Sequence, residues 1–220
     1  KGTEERAIIP GLQGVVSMLQ NVMSLHNVSD ITMQGLSILH ARGNGIDVTH
    51  STRVHITDCT VANHGNLAVN FTNSTNSSVS RCVVEQTGDG GVWLEGPASD
   101  RDSLTPSLLT TSSTRFRTTN RWDRTYRPGV TMIGCGAKVI NCDFADSPHQ
   151  CVMVVGNDHA IVNNSFKNSL FESSDSGVIY AEQDWTFRGN VIRDNDFAGV
   201  HSLYYPRLPW AYEQHHRSVQ

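Results

Sequence analysis

The stretches VHITDCTV (54–61) and SVSRCVVE (78–85) decide the fold, because they repeat one apolar template. Each places an apolar residue at one position, a second three positions on and a third two positions further, as in Ile56-Cys59-Val61 and Val79-Cys82-Val84. The last member of the triplet recurs at intervals of 22 to 32 residues, at Ile38, Val61, Val84, Phe116, Phe144, Phe166 and Phe197. Self-similarity at such a period predicts a solenoid.

Each repeat carries a second short strand that begins at a small residue. These strands are expected at 45–48, 68–71, 91–94, 129–132, 151–154, 177–180 and 199–202. Apolar and polar residues alternate in them, and a period of two indicates a strand with one buried face. A single repeat cannot bury that face alone, whereas stacked repeats pair their strands at about 4.8 Å and share one core.

The pattern therefore predicts an all-β, right-handed parallel β-helix (a solenoid) of about seven coils, partial at both ends. It occupies residues 1–205, and residues 206–220 form a C-terminal tail without the repeat. Uncapped solenoid ends would allow self-association or docking of a partner.

Composition and residue spacing argue against several classes of partner and cofactor. The net charge of -4 and the pI near 6.2 argue against a nucleic-acid partner. No apolar run approaches the ~20 residues of a membrane span. The five cysteines lack paired metal-ligand spacing, so neither a metal site nor another cofactor is expected. Cys59, Cys82 and Cys142 share a column with Asn164 and Asn195, which favours an internal stack of small and amide side chains. A Cys59–Cys82 disulfide stays open as an alternative.

Glycosylation sequons point to the compartment. Five Asn-x-Ser/Thr sequons favour a secreted, extracellular glycoprotein, and they stand at Asn27, Asn70, Asn73, Asn76 and Asn163.

One column of turn residues is the candidate site. Two positions before the second strand of successive repeats stand Gly43, Asn66, Asp89, Arg127, His149 and Asp175, of which the last four are ionisable. Nearby positions add further candidates, namely Trp122, Arg124, Tyr126, Glu172, Tyr180, Asp184, Trp185 and Arg188. Aromatic rings stack on sugars and paired acids hydrolyse glycosidic bonds, so a glycan or polysaccharide is the expected partner. The alternative is a polar ladder that satisfies backbone groups in the turns.

The segments SPHQCVMVVGNDHAIVNNSF (147–166) and ESSDSGVIYAEQDWTFRGNVIRDNDF (172–197) resemble β-helix proteins of glycoside hydrolase family 141, in the pectate-lyase-like superfamily. The resemblance covers roughly residues 28–203 and implies fucosidase-like or xylanase-like hydrolysis by two acids on adjacent coils. It makes Asp175 the first acid. The second acid is not evident, because Pro206 and Arg207 stand where the family pattern has two aspartates.

Three functions compete on these residues. The first is a glycoside hydrolase in which Asp175 is catalytic, while His149, Arg127 and Tyr180 orient the sugar. The second is a polysaccharide lyase with Arg127 or His149 as the base. The third is a non-catalytic extracellular structural or glycan-binding protein, so enzymatic activity stays uncertain from the sequence.

Overall fold

The computed structural model describes residues 8–9, 12–97, 104–173, 175–182 and 184–201, with side chains from residue 14 onward. A short antiparallel pair, β1 and β2, comes first. The strands described are β1 (Ile8–Ile9), β2 (Leu12–Gln13), β3 (Met23–His26), β4 (Ser29–Gln34), β5 (Ser37–Leu39), β6 (Ile46–Thr49), β7 (Thr52–Thr57), β8 (Thr60–Ala62), β9 (Val69–Thr72), β10 (Ser78–Ser80), β11 (Val83–Glu85), β12 (Val92–Glu95), β13 (Thr110–Ser112), β14 (Arg115–Arg117), β15 (Val130–Cys135), β16 (Lys138–Ile140), β17 (Asp143–Ser147), β18 (Val152–Asn157), β19 (Ala160–Val162), β20 (Ser165–Ser169), β21 (Ile179–Ala181), β22 (Val191–Arg193) and β23 (Asp196–Val200).

From β3 onward the strands form three parallel sheets of seven strands each. Sheet A contains β3, β6, β9, β12, β15, β18 and β21; sheet B begins with β4 and sheet C with β5, and each then takes every third strand. Each coil gives one strand to each sheet, so the chain is a right-handed parallel β-helix of seven coils, as predicted. Within these described segments, no helix long and apolar enough to cross a bilayer occurs. The predicted tail at 206–220 lies outside the described residues.

The core is a set of inward columns that run along the solenoid. The predicted triplets supply the columns of sheets B and C, and their residues pair in the expected register in all seven coils. At one end of the sheet C column four rings stack, with centroids 4.6 Å apart for Phe116–Phe144, 5.0 Å for Phe144–Phe166 and 5.1 Å for Phe166–Phe197. Burying one such side chain stabilises the fold by about 1.5–3 kcal/mol. A core only a few side chains wide explains the low aromatic content.

The cysteine and asparagine column lies inside the turn between sheets B and C, as predicted. Cys59 N donates to Cys82 Sγ at 3.4 Å, Cys142 N to Asn164 Oδ1 at 2.8 Å, and Asn164 N to Asn195 Oδ1 at 2.9 Å. The column therefore satisfies backbone N–H groups at each bend. All five cysteines are buried free thiols, so Cys59 and Cys82 are not bridged.

Two predicted strands of sheet A are wrong in detail. Ile179, not Val178, pairs with Val152, so the segment 177–180 was placed one residue out of register. Both residues are apolar, and such a one-residue slip exchanges the faces of the strand, which turns Tyr180 outward. The segment 199–202 does not begin a sheet A strand, because Val200 extends β23 of sheet C and pairs with Ser169.

Candidate functional site

The candidate site is built on the turns that lead from sheet C to sheet A. We call this surface the turn face and define it as residues 86–91, 118–129, 148–151, 170–173 and 175–178. The turn at 118–129 is the longest of them and crosses from the neighbourhood of residue 88 to that of residue 172. Trp122 N donates to Gly88 O at 2.9 Å at one side, and an ion pair to Glu172 lies at the other.

The corrected register changes the predicted column. Because Val152 pairs with Ile179, the counterpart of His149 in the next coil is Ser176, and Asp175 stands one position earlier. Ser176 Oγ donates to Gln150 Oε1 at 3.5 Å, which agrees with this register. Asp175 is exposed, and its carboxylate has no hydrogen bond or ion pair within the described part of the chain.

Arg127 joins two coils of the turn face. Its Nε lies 2.6 Å from Asp89 Oδ1 and 3.0 Å from Asp123 Oδ2. Asp89 belongs to the preceding coil, so the structure brings together two of the predicted column members. One guanidinium between two carboxylates leaves this cluster with excess negative charge.

A second ion pair joins the long turn to the coil after next. Arg124 Nε and Nη2 donate to the two carboxylate oxygens of Glu172 at 2.5 and 2.6 Å. The guanidinium holds the pKa of Glu172 below its ordinary value, and the carboxylate raises the pKa of Arg124. Glu172 is therefore ionised at neutral pH and unsuited to act as a general acid.

Tyr126 lies between these two ion pairs and covers His149. Their ring centroids are 4.8 Å apart, and the Tyr180 ring lies 6.3 Å from that of Tyr126. Tyr126 has φ 55°, a left-handed conformation that costs a residue with a side chain about 1–2 kcal/mol. His149 is buried, and burial lowers its pKa, so the imidazole is neutral at pH 7.

Sequence reasoning missed several buried polar residues of the turn face. Asn120, Gln150 and Ser173 are buried, and the Asn120 amide, Gln150 Nε2 and Ser173 Oγ have no hydrogen-bond partner among the described residues. His149 Nδ1 shares this property. Amide and hydroxyl side chains are common in turns, so only tertiary burial distinguishes these four. Their one sequence signal is that Gln150 directly follows the predicted His149.

The contacts described for the remaining predicted residues do not involve Tyr126, His149 or Tyr180. Asp184 Oδ1 accepts hydrogen bonds from Thr186 N at 2.9 Å and Thr186 Oγ1 at 2.7 Å, which caps a local turn. Trp185 is 97% exposed and Trp122 is 77% exposed. Both indoles offer open aromatic faces, but neither makes a ring contact with Tyr126, His149 or Tyr180.

The predicted glycosylation sites differ in accessibility. Asn27, Asn76 and Asn163 are exposed residues with positive φ in turns, and Asn73 is half-buried in a similar turn. Asn70 differs, since it lies half-buried within β9 rather than in a turn; its Nδ2 donates to Asp47 Oδ1 at 2.9 Å, and that of Asn163 donates to Asn141 Oδ1 at 2.7 Å. The Asn70 amide is thus already engaged on the outer face of sheet A.

The chemistry available at the turn face is hydrogen bonding, stacking and carboxylate catalysis. The described residues contain no group of three or more histidine, cysteine, aspartate or glutamate side chains that could hold a metal ion. Among the predicted acids of this surface, Asp175 is the one that no arginine of the described residues neutralises.

Comparisons with known proteins agree with the fold. The family model described as a right handed beta helix region matches residues 15–121. The chain is similar in structure to the DFA-IIIase from Arthrobacter chlorophenolicus A6 in complex with GF2, with a TM-score of 0.52, 14% identity, and coverage of 82% of this chain and 51% of that enzyme. The same enzyme without its lid gives a TM-score of 0.51 at 14% identity, with coverage of 86% and 55%. The chain spans about half the length of these enzymes, and at this identity the likeness concerns the fold alone. No curated protein matches the sequence.

Proposed function

We propose that this protein is a secreted, polysaccharide-active β-helix protein of the glycoside hydrolase type, and that the turn face binds its glycan. The observation that supports this proposal is the Tyr126 cluster, in which a half-exposed ring packs on His149 and lies near Tyr180. Arg124 and Arg127, on either side of Tyr126 in the chain, each pair with a carboxylate. Aromatic faces stack on sugar rings, and fixed polar groups around them select hydroxyl positions. The structurally similar DFA-IIIase, solved in complex with GF2, uses the same class of fold.

Asp175 is the catalytic carboxylate of this proposal. Its support is the resemblance to glycoside hydrolase family 141 together with its exposed carboxylate on the turn face, which pairs with no arginine among the described residues. A hydrolase needs two acids, and positions 206 and 207, where the family pattern has its second acid, lie outside the described residues.

A lyase fits the turn face less well. Polysaccharide lyases act on uronic acids, so their sites need positive charge for the substrate carboxylate. The turn face carries three arginines, at 121, 124 and 127, against four carboxylates, at 89, 123, 172 and 175. Two of those arginines are already paired with carboxylates, so the surface disfavours an anionic glycan.

One observation favours a non-catalytic alternative. Asp89, Asp123 and Glu172 are all held in ion pairs with arginine, which leaves Asp175 without a second unpaired acid on the described part of the turn face. A protein that binds the glycan but does not hydrolyse it would keep the stacking surface and the ion pairs. Binding and turnover must therefore be measured separately.

The decisive experiment compares wild type with Asp175→Asn on neutral oligosaccharides (xylotetraose, cellotetraose and 2′-fucosyllactose) and on trigalacturonate. Binding is followed by calorimetry and hydrolysis by chromatography. A hydrolase loses about 10²–10⁴-fold in rate in Asp175→Asn and keeps its affinity. The matched control is Asp194→Asn, which alters an exposed aspartate in a turn between sheets B and C.

Each outcome separates the candidates. Binding without turnover in the wild type supports the glycan-binding alternative. An unsaturated product from trigalacturonate supports the lyase. Turnover that survives in Asp175→Asn removes the catalytic role of Asp175, and absence of binding to all four saccharides overturns the proposed function.

Secretion belongs to the same proposal and rests on the sequons. Expression in a eukaryotic secretory system should yield a protein whose mass falls on treatment with an N-glycosidase. Asn76→Gln should remove one glycan, while Asn70→Gln should not, because Asn70 is half-buried within β9 whereas Asn76 is exposed in a turn. A secreted product of unmodified mass would refute the glycoprotein assignment.

A further inference from the structure

Three buried polar groups on two adjoining turns of the turn face lack hydrogen-bond partners among the described residues. His149, Gln150 and Ser173 are 4%, 0% and 8% exposed, and His149 Nδ1, Gln150 Nε2 and Ser173 Oγ accept or donate no hydrogen bond within the described residues. The two turns that carry them are bonded to each other, since Glu172 N donates to Pro148 O at 3.0 Å. Buried polar groups are normally paired, so three unpaired ones on adjoining turns indicate a place that pairs with something else.

The long turn covers this place with a displaceable contact. The Tyr126 ring packs on His149, and Tyr126 itself is 52% exposed to solvent. Residues 124–127 form no strand and make no backbone hydrogen bond to a neighbouring coil within the described residues, and their side chains are held by two ion pairs, Arg124 to Glu172 and Arg127 to Asp89. All four side chains are 34–45% exposed, and ion pairs this exposed contribute little to stability. Residues 124–127 can therefore leave His149 without breaking a backbone hydrogen bond between coils.

We propose that His149, Gln150 and Ser173 form a recessed subsite that takes the hydroxyl groups of a neutral saccharide, and that residues 124–127 are its movable cover. The proposal rests on the proposed function and adds residues to it that the sequence did not indicate. Displacing Tyr126 uncovers His149 and leaves the ring free to stack on the same sugar.

The chemistry of the three groups selects the ligand. An imidazole, an amide and a hydroxyl offer both donors and acceptors, and none carries a charge at pH 7, because burial keeps the imidazole neutral. Sugar hydroxyls also donate and accept, so they satisfy all three groups. A carboxylate or sulfate only accepts, and both nearby guanidiniums already bind carboxylates. An anionic sugar would enter this recess without a counter-charge.

The cover is tested without any ligand. Arg124→Gln releases one ion pair, and Arg53→Gln is its matched control, since Arg53 in β7 makes a similar two-point, exposed pair with Asp30 in β4, far from the turn face along the chain. The modification rate of His149 by diethylpyrocarbonate at pH 7 is followed by peptide mass spectrometry. Arg124→Gln should raise this rate about fivefold, the worth of one well-formed surface ion pair, while Arg53→Gln should not change it. Equal rates in the two variants overturn the cover.

The subsite is tested with the neutral oligosaccharide that binds the wild type tightest. Ser173→Ala and Gln150→Ala should each weaken its affinity about tenfold, as loss of one buried hydrogen bond does. Ser165→Ala is the control, because Ser165 Oγ is also buried and unpartnered but lies on β20 of sheet C. Thermal denaturation verifies that each variant folds.

The outcomes distinguish this inference from the proposed function. Suppose that Tyr126→Ala weakens saccharide binding, while Ser173→Ala and Gln150→Ala bind as tightly as the control Ser165→Ala. The turn face then binds glycan, and the recessed subsite is wrong. Tighter binding of trigalacturonate than of every neutral saccharide overturns the assigned ligand. No binding of any saccharide overturns the proposed function and the ligand of the subsite together, while the diethylpyrocarbonate result still decides the cover.

Discussion

Replacing His64 with glutamine should remove much of the acid sensitivity of the solenoid. His64 is 2% exposed and bridges two backbone groups of the preceding coil. Ala41 N donates to its Nδ1 at 3.0 Å, so its Nε2 carries the proton and donates to Ile38 O at 3.0 Å. Protonation of Nδ1 would break the first of these bonds and place a charge in the core. Burial accordingly lowers the pKa of His64 from 6.5 to about 4.

The sign and size of the effect follow from these two values. The unfolded chain binds the proton near pH 6.5 and the folded protein only near pH 4, so His64 destabilises the fold as the pH falls between them. Integrating over that interval gives a loss of about 2 kcal/mol at pH 5 and about 3 kcal/mol at pH 4, relative to pH 8. Above pH 7 the imidazole is essentially neutral in both the folded and the unfolded state, so the loss of stability caused by His64 is absent.

Urea denaturation at pH 8, 7, 6 and 5, followed by circular dichroism, measures this loss. Glutamine keeps an acceptor and a donor but does not titrate, so the stability difference between wild type and His64→Gln should shrink by about 2 kcal/mol from pH 8 to pH 5. His55→Gln, which replaces a half-buried imidazole on the outer face of sheet B, is the control. A difference that changes by less than about 0.5 kcal/mol would refute the reasoning.

Three further predictions concern the interior of the solenoid. Asn164→Ala leaves Cys142 N without an acceptor and should lower the free energy of unfolding by about 3–5 kcal/mol in urea denaturation, and a loss below about 1 kcal/mol would contradict this. Phe144→Ala opens the middle of the ring stack and should cost about 3–5 kcal/mol, measured as a fall in Tm by calorimetry; an unchanged Tm would rule out the stack as a core element. Burial raises the pKa of Cys82 to about 11 and of Cys142 to about 12, so Ellman's reagent should label them at pH 8 only as fast as the protein unfolds, and rapid labelling would show accessible thiols.

Much of the fold could be predicted because the apolar triplets carry its register. Ile56-Cys59-Val61 and its repeats combine two short strands with a two-residue bend, and the residue before the middle member of the triplet has positive φ in each coil, as Asp58 and Arg81 do. A bend with so little length leaves no freedom to slip. The segment before sheet A lacked such a constraint, since Val178 and Ile179 both satisfy the apolar pattern, and only strand pairing decides between them.

The candidate site was predictable as a region and not as an arrangement. The sequence by itself determined the solenoid, its number of coils and the turns on which polar residues gather, because these depend on local periodicity. Only the tertiary structure decided that Arg124 reaches Glu172, 48 residues away, that Tyr126 covers His149, and that Gln150 and Ser173 are buried without partners. The physical reason is that these contacts join different coils through turns of unequal length. Their geometry depends on how the long turn folds over its neighbours, and no repeat encodes that path.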